Sequence, residues 1–178
     1  MIEPPEQKQA WNRRKAAARK YQPGRIRLLV IDRAPPEAPA DYFYFEDGED
    51  ALYRDVCEVL FEEQPHGHKP SYLKLLRRRG VFVVELKPNA PWNERDRPAD
   101  YVPWLVLVCE PLAPEHVMIV GEFHEAARRE LQKAGLAVIP VKLPLPGPGR
   151  ESDFRRLFRA ALVKADLESL IKPAPAKK

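Results

Sequence analysis

Short apolar segments alternate with longer, mostly polar segments along this chain. The apolar segments are flanked by turn-forming residues and are too short for typical helices, a pattern of strands buried on both faces. Four such strands are predicted, at residues 26–31, 81–86, 116–120 and 136–141. Helices are predicted around them, at residues 6–21, 50–61, 72–79, 122–133 and 152–171. The apolar residues of segment 101–110 have no clear period, so the sequence allows either a helix or a strand there.

The order of these elements predicts an α/β fold. Strands that alternate with helices pair in parallel through right-handed crossovers, which places helices on both faces of the sheet. We therefore expect a three-layer α/β/α sandwich with a central, mainly parallel four-stranded sheet. The chain divides into a basic N-terminal helical extension at residues 1–24, a single α/β domain at 25–171 and a disordered tail at 172–178.

Three of the predicted strands end in loops rich in proline, glycine and polar residues. After the first strand, Pro35 and Pro36 cannot continue a hydrogen-bonded ladder, so the chain must leave the sheet there. Carboxyl ends of parallel strands share one edge of a sheet, and open α/β sheets bind ligands at that edge. Residues 32–45, 87–93 and 144–150 are therefore expected to surround a single cavity.

Charged residues are unevenly distributed. Residues 1–25 contain seven Lys or Arg and two Asp or Glu, and residues 150–178 contain eight and four. Residues 32–63 instead contain eleven acidic and two basic residues. Basic termini around an acidic middle favour a rim that binds a polyanion, with ordinary solvated charge as the alternative.

Several classes of protein are disfavoured. Cys57 and Cys109 are isolated, so we expect buried free thiols and no zinc or iron–sulfur site. His66 and His68 have no third ligand at a useful spacing, and a solvated loop explains them better. No apolar run reaches membrane-spanning length, and the first residues lack a signal-peptide core. We expect a cytoplasmic monomer with no cofactor and no membrane partner.

Four carboxylates are the candidate catalytic residues: Asp32, Glu37, Asp41 and Glu85. Carboxylates can orient water or stabilise a cationic sugar, and several close acids raise the pKa of one of them. Asp32 is the strongest candidate because it lies at a strand end. For Glu37 and Asp41, solvated loop charges are the alternative.

Consecutive aromatic residues follow the first loop. Their positions alternate, so Phe43 and Phe45 share one face while Tyr44 lies on the other; one face can pack in the core and the other stack on an extruded base. A purely structural core strand is the alternative. Asn89 carries a donor and an acceptor that suit a pyrimidine edge, with a simple turn residue as the alternative.

Candidate DNA contacts are basic or small residues near the same loops. Basic side chains pair with phosphates, and a stiff turn of proline and glycine can approach a groove closely. These candidates are Arg33, Lys87, Pro146, Gly147, Gly149, Arg150 and Arg155. For any single arginine, a solvated surface charge is the alternative.

Four motifs, in order, resemble the uracil-DNA glycosylase-like superfamily, in a divergent bacterial branch. VIDRAPP (30–36) resembles its first strand and water-activating loop, and VVELKPNAP (83–91) stands where its second strand recognises a pyrimidine. HVMIVGEFHEAARREL (116–131) resembles its third strand and the following helix, and PLPGPGRESDFRRLF (144–158) its DNA-inserting loop. The resemblance spans residues 25–165 and implies that superfamily's fold and DNA partner.

Some positions depart from the superfamily pattern. Arg33 stands where the first motif carries a carboxylate or amide, and Asp32 where it carries glycine. Glu85 replaces an expected asparagine, and Leu145 replaces the terminal histidine. These departures favour a substrate other than plain uracil.

The sequence as a whole predicts a monofunctional DNA glycosylase. It would flip a damaged or modified base, a modified pyrimidine, out of double- or single-stranded DNA and hydrolyse the N-glycosidic bond to leave an abasic site. Such an activity serves DNA repair or defence against phages with modified DNA. The alternative is a non-catalytic nucleic-acid-binding protein on the same scaffold. A weaker one is a hydrolase of free nucleosides or nucleotides.

Overall fold

The computed structural model describes residues 5–89 and 91–173, which form an α/β fold around a small, open, parallel sheet. The sheet has three strands, β1 (Leu28–Asp32), β2 (Val81–Glu85) and β3 (His116–Ile119), in the order β2-β1-β3. Central β1 is flanked on both sides, and its residues 28–31 are fully buried. This burial explains the unbroken apolar run in the sequence.

Six α-helices and two short 3-10 helices surround the sheet within the described residues. The helices are α1 (Pro5–Lys20), α2 (Ala51–Phe61), α3 (Lys69–Arg79), α4 (Pro98–Leu112), α5 (His124–Lys133) and α6 (Glu151–Lys164), with 3-10 turns at Pro39–Asp41 and Glu168–Leu170. Helix α2 packs on α6, and α4 packs on α5. The arrangement is compatible with an α/β sandwich. Residues 101–110, for which the sequence allows either a helix or a strand, are helical.

The predicted fourth strand at 136–141 forms no continuous ladder in the described chain. Val138 and Leu143 make isolated parallel bridges to Val117 and Val120. Pro140 has no N–H to donate, and the Val141 N–H bonds back to the carbonyl of Ile139 at 2.9 Å. The segment therefore lies beside β3 but leaves it after one bridge, and the sheet has three strands where four are predicted.

Helix α3 begins earlier than predicted, and helix α6 ends earlier than predicted. Helix α3 begins at Lys69, and it ends at Gly80, whose φ of 77° lets its N–H reach the carbonyls of Leu76 and Arg77. A Cβ at Gly80 would lie 2.9 Å from the Arg25 carbonyl, so glycine is needed where α3 turns into β2. Helix α6 ends at Lys164, seven residues before the predicted end at 171, and a 3-10 turn follows.

The two cysteines are free thiols with no exposed surface, as predicted. In the part of the chain that the structure describes, every helix is too short or too polar to cross a bilayer. The predicted extension at 1–24 contains helix α1, and most of the predicted tail, residues 174–178, lies outside the described residues.

Candidate active site at the carboxyl ends of the strands

A cavity of about 360 Å³ opens beyond the carboxyl end of β1. Residues from all three predicted loops line it, together with the start of α2. The lining side chains that carry polar or aromatic groups are Asp32, Arg33, Glu37, Asp41, Glu49, Asp50 and Trp92, and Leu145 and Pro146 close one side. The predicted meeting of three loops around one cavity is therefore found. We call this space the Asp32 cavity.

Asp32 is held in place by its position at the end of the sheet. Its carbonyl accepts the Leu86 N–H at 2.8 Å, which continues the pairing of β1 with β2 past the last strand residue. The Arg33 N–H donates to the Asp32 carboxylate at 2.7 Å. Burial raises the pKa of Asp32 to about 6, although the Arg33 N–H and guanidinium oppose this rise. The carboxylate is thus fixed, only partly hydrated and close to its titration point at neutral pH.

Asp50 is a second carboxyl in the same cavity and was not among the predicted site residues. It is the N-cap of α2, where its carboxylate accepts the Tyr53 N–H at 2.6 Å. Burial raises its pKa to about 7, and the charge of Asp32 adds to that rise. A carboxyl that is half protonated near pH 7 lies beside one that is largely ionised. Neighbouring acids that titrate apart are a typical acid and base pair.

Arg33 and Trp92 form the non-acidic wall of the cavity. The Arg33 guanidinium carbon lies 5.5 Å from the centroid of the Trp92 ring, a cation–π contact. Trp92 is half-buried and also packs against Tyr101, with ring centroids 5.9 Å apart. Sequence reasoning placed Trp92 in a loop without giving it a role. The signal available was an aromatic residue in a polar loop that follows a strand.

Lys87 is nearly buried and paired within the protein. Its ammonium group lies 2.6 Å from Asp96 and donates to the Pro91 carbonyl at 2.9 Å, and both side chains of the pair are nearly buried. Asp96 also accepts the Tyr101 hydroxyl at 2.6 Å. This network holds the loop that carries Trp92. The predicted DNA contact through Lys87 stays a prediction, and in the structure the charge of Lys87 is paired with Asp96.

The predicted aromatic platform packs in the core instead of lining the Asp32 cavity. Residues 42–45 form a turn, in which the Phe45 N–H bonds the Tyr42 carbonyl at 2.9 Å, so the alternation of a strand is lost. Phe43 and Tyr44 are buried, and the Tyr44 hydroxyl accepts the Val83 N–H at 2.6 Å. Phe45 is half-buried under Arg13. The structural alternative therefore accounts for all three.

Of the other predicted catalytic and base-binding residues, two line the Asp32 cavity and two do not. Glu37 is exposed at the lip of the Asp32 cavity, and Asp41 lies in its wall. Glu85 pairs in register with Asp32 but lines a different groove, described below. Asn89 is exposed, is absent from the Asp32 cavity wall, and accepts Arg14 at its backbone carbonyl at 2.8 Å.

The loop at 144–150 borders the Asp32 cavity on one side and exposes basic and small residues on the other. Pro146 is part of the cavity wall, and Gly149 and Arg150 are exposed. A Cβ at Gly147 or Gly149 would meet no atom within 4 Å, so the space beside these two glycines is open. Arg155 instead pairs with Glu58 and lies 3.8 Å from Asp55, so it is engaged inside the protein.

No group of three or more His, Cys, Asp or Glu residues within 5–89 and 91–173 is arranged to hold an ion. His66 and His68 are exposed and contact Gln64 and Ser71. No protein-family model matches the chain, and a search of curated proteins finds no match.

Proposed function

We propose that this chain is a DNA N-glycosylase with a uracil-DNA glycosylase-like fold, which removes a modified pyrimidine. The single observation that carries the proposal is the pairing of Asp32 and Asp50 at one cavity beside Arg33 and Trp92. Parallel strands whose loops meet at one cavity support the fold. The acidic pair and the aromatic wall support the chemistry.

The proposed reaction assigns a different role to each carboxyl. The bond between C1′ and the base nitrogen breaks, and its electron pair stays with the base. A water oxygen bonds to C1′, ionised Asp32 takes the water proton, and protonated Asp50 supplies a proton to the departing base. The negative charge of Asp32 also stabilises the positive charge that develops on the sugar.

Trp92 and Arg33 are assigned to binding. An indole face stacks on any extruded base with about 1–3 kcal/mol of favourable free energy, and the half-buried ring of Trp92 lies in the cavity wall. The Arg33 guanidinium beside it can donate to oxygens of a pyrimidine ring. The exposed loop with Gly149 and Arg150 is assigned to the DNA backbone and groove.

The decisive experiment incubates the protein with duplex and single-stranded DNAs that each carry one altered base. Uracil, oxidised, alkylated, hydroxymethylated and glucosylated bases are compared, and abasic sites are read as strand breaks after alkali. We expect breaks for at least one modified pyrimidine. DNA binding without abasic products on any base would select the non-catalytic alternative, and release of base from free nucleosides alone would select the nucleoside hydrolase.

Matched variants test the assignment of roles. Asp32→Asn and Asp50→Asn should each lower the excision rate by about 100-fold or more, whereas Asp100→Asn, an exposed carboxyl on α4, should not change it. Because Asp32 must be ionised and Asp50 protonated, the wild-type rate should peak between the two pKa values of about 6 and about 7. A rate that stays flat from pH 5 to 9 would contradict the pairing.

A further inference from the structure

A second cavity, of about 400 Å³, lies beside the edge strand β2. Its walls come from α1, β2 and α4, and in the described chain it shares no lining residue with the Asp32 cavity. We call it the β2-edge groove. It belongs to none of the chemistry assigned above, because Asp32, Asp50 and Trp92 all lie outside it.

Aromatic and aliphatic side chains together form the apolar part of the β2-edge groove. Trp11 comes from α1, Trp104 from α4 and Phe82 from β2. Both tryptophans are half-buried, and the Lys15 ammonium covers one face of the Trp11 ring, 4.9 Å from its centroid. Partly open indole rings are stacking surfaces for a planar ring. The two indole rings therefore give the groove a surface that suits a flat aromatic group.

The inner end of the groove holds a buried cation with an unused donor. Arg14 is 8% exposed, and its guanidinium donates to the carbonyls of Pro88 and Asn89 at 2.9 and 2.8 Å. Its Nε atom has no partner among the described residues. The two carbonyls hold the guanidinium in place, so its positive charge lies in the lining of the groove.

Glu85 lines the same groove, and its carboxyl adds a polar group without a full negative charge that would repel an anion. Burial raises its pKa to about 8, and the charge of Asp32 adds to the rise, while Tyr42 and Arg14 oppose it. At neutral pH the carboxyl is therefore mainly protonated. The Tyr42 side chain already hydrogen-bonds with this carboxyl, which leaves the protonated form one remaining polar contact for the edge of a ring.

The rim of the groove is cationic. Lys15 and Arg19 are exposed on α1, and both line the groove. Together with Arg14 they provide three positive groups around an aromatic floor. We propose that the β2-edge groove binds a planar aromatic ring that carries an anionic group, the chemistry of a mononucleotide, with the ring against Trp11 and Trp104 and the anion at Lys15 and Arg19.

This chemistry has two sources, a free mononucleotide or one nucleotide of a single strand. The test titrates Trp92→Phe protein, whose tryptophan fluorescence then comes from the groove alone, with thymidine 5′-monophosphate, thymidine, inorganic phosphate and an oligothymidylate. We expect saturable quenching by the nucleotide and about tenfold weaker binding of thymidine. An oligothymidylate that binds more tightly, with steep salt dependence, identifies the strand as the source. Equal or weaker binding of the oligomer identifies the free nucleotide.

Variants connect the binding to this groove. The exposed pair Lys15→Glu and Arg19→Glu should weaken nucleotide binding about tenfold or more, whereas the same charge change on α3, Lys74→Glu with Arg78→Glu, should not. Equal weakening by both pairs would mean that only net charge matters, which overturns the proposal. So would the absence of saturable quenching.

The aromatic surface has its own variants. Trp104→Ala should lower the affinity by about 5- to 150-fold if the ring stacks on it, and Trp11→Ala, on the surface of α1, is a second variant should Trp104→Ala not fold. If both variants fold and bind the nucleotide as tightly as the parent protein does, the proposed stacking is overturned. Asp32→Asn should leave the groove's binding intact, so failure here and failure of the proposed hydrolysis are distinguishable.

Discussion

Replacing Lys87 with methionine tests whether a buried ion pair holds the loop that carries Trp92. The Lys87 ammonium lies 2.6 Å from the Asp96 carboxylate, and the two side chains are 9% and 8% exposed. At a separation of about 4 Å and an effective dielectric constant of about 20, two unit charges attract by about 4 kcal/mol, and the cost of removing both from water offsets much of this. Removal of one partner leaves the other charge buried, so we expect the free energy of unfolding to fall by about 3 kcal/mol.

The pH dependence of this loss has a defined sign. Burial opposes ionisation of Asp96, but hydrogen bonds from Lys87, Tyr101 and the Asn93 N–H outweigh it and lower the pKa of Asp96. Because the folded pKa lies below the unfolded value, the stabilisation is complete above the unfolded pKa and is lost as the pH falls through the folded pKa. The difference between wild type and Lys87→Met should therefore shrink in acid.

Urea denaturation at neutral pH measures the change in the free energy of unfolding. Lys74→Met, on the exposed side of α3, is the matched control and should change it by no more than about 0.5 kcal/mol. If Lys87→Met also lowered the free energy of unfolding by no more than about 0.5 kcal/mol, the ion pair would not be what holds the loop. If stability stayed constant while the salt slope of DNA binding fell by about one charge, Lys87 would be a phosphate contact after all.

Three further changes test other parts of the structure. Tyr44→Phe leaves the Val83 N–H without the hydroxyl that accepts it at 2.6 Å and should cost about 1–3 kcal/mol in urea denaturation; a neutral result would mean that water replaces the hydroxyl. Gly48→Ala places a Cβ 1.7 Å from the Ala40 carbonyl oxygen, so the melting temperature should fall, and an unchanged value would mean that the loop relaxes freely. Glu85→Gln removes a group whose folded pKa of about 8 is raised, so stability lost by wild type as the pH rises through about 8 should be retained in the variant, as melting curves at acidic and alkaline pH would reveal.

The sequence predicted three of the strands and the meeting of the loops because their signals are local, whereas the fourth predicted strand forms only isolated bridges. Unbroken apolar runs marked β1, β2 and β3, and proline-rich exits marked the edge where the cavity lies. The aromatic run at 42–45 misled because residue type alone does not distinguish a strand from a buried turn. The pairing of Lys87 with Asp96 was not predicted either, because the partner is nine positions away, across a loop whose path the sequence does not determine.

Asp50 shows what a local pattern conceals. An aspartate before an apolar helix is the ordinary N-cap, and Asp50 does accept the Tyr53 N–H in that role. Its second role depends on where α2 begins relative to β1, a tertiary relation that brings the capping carboxyl within electrostatic reach of Asp32. The same residue thus starts a helix and completes a pair of acids. Replacing it with asparagine keeps a good cap but removes the titrating carboxyl, so Asp50→Asn separates the two roles: stability should hold while excision falls.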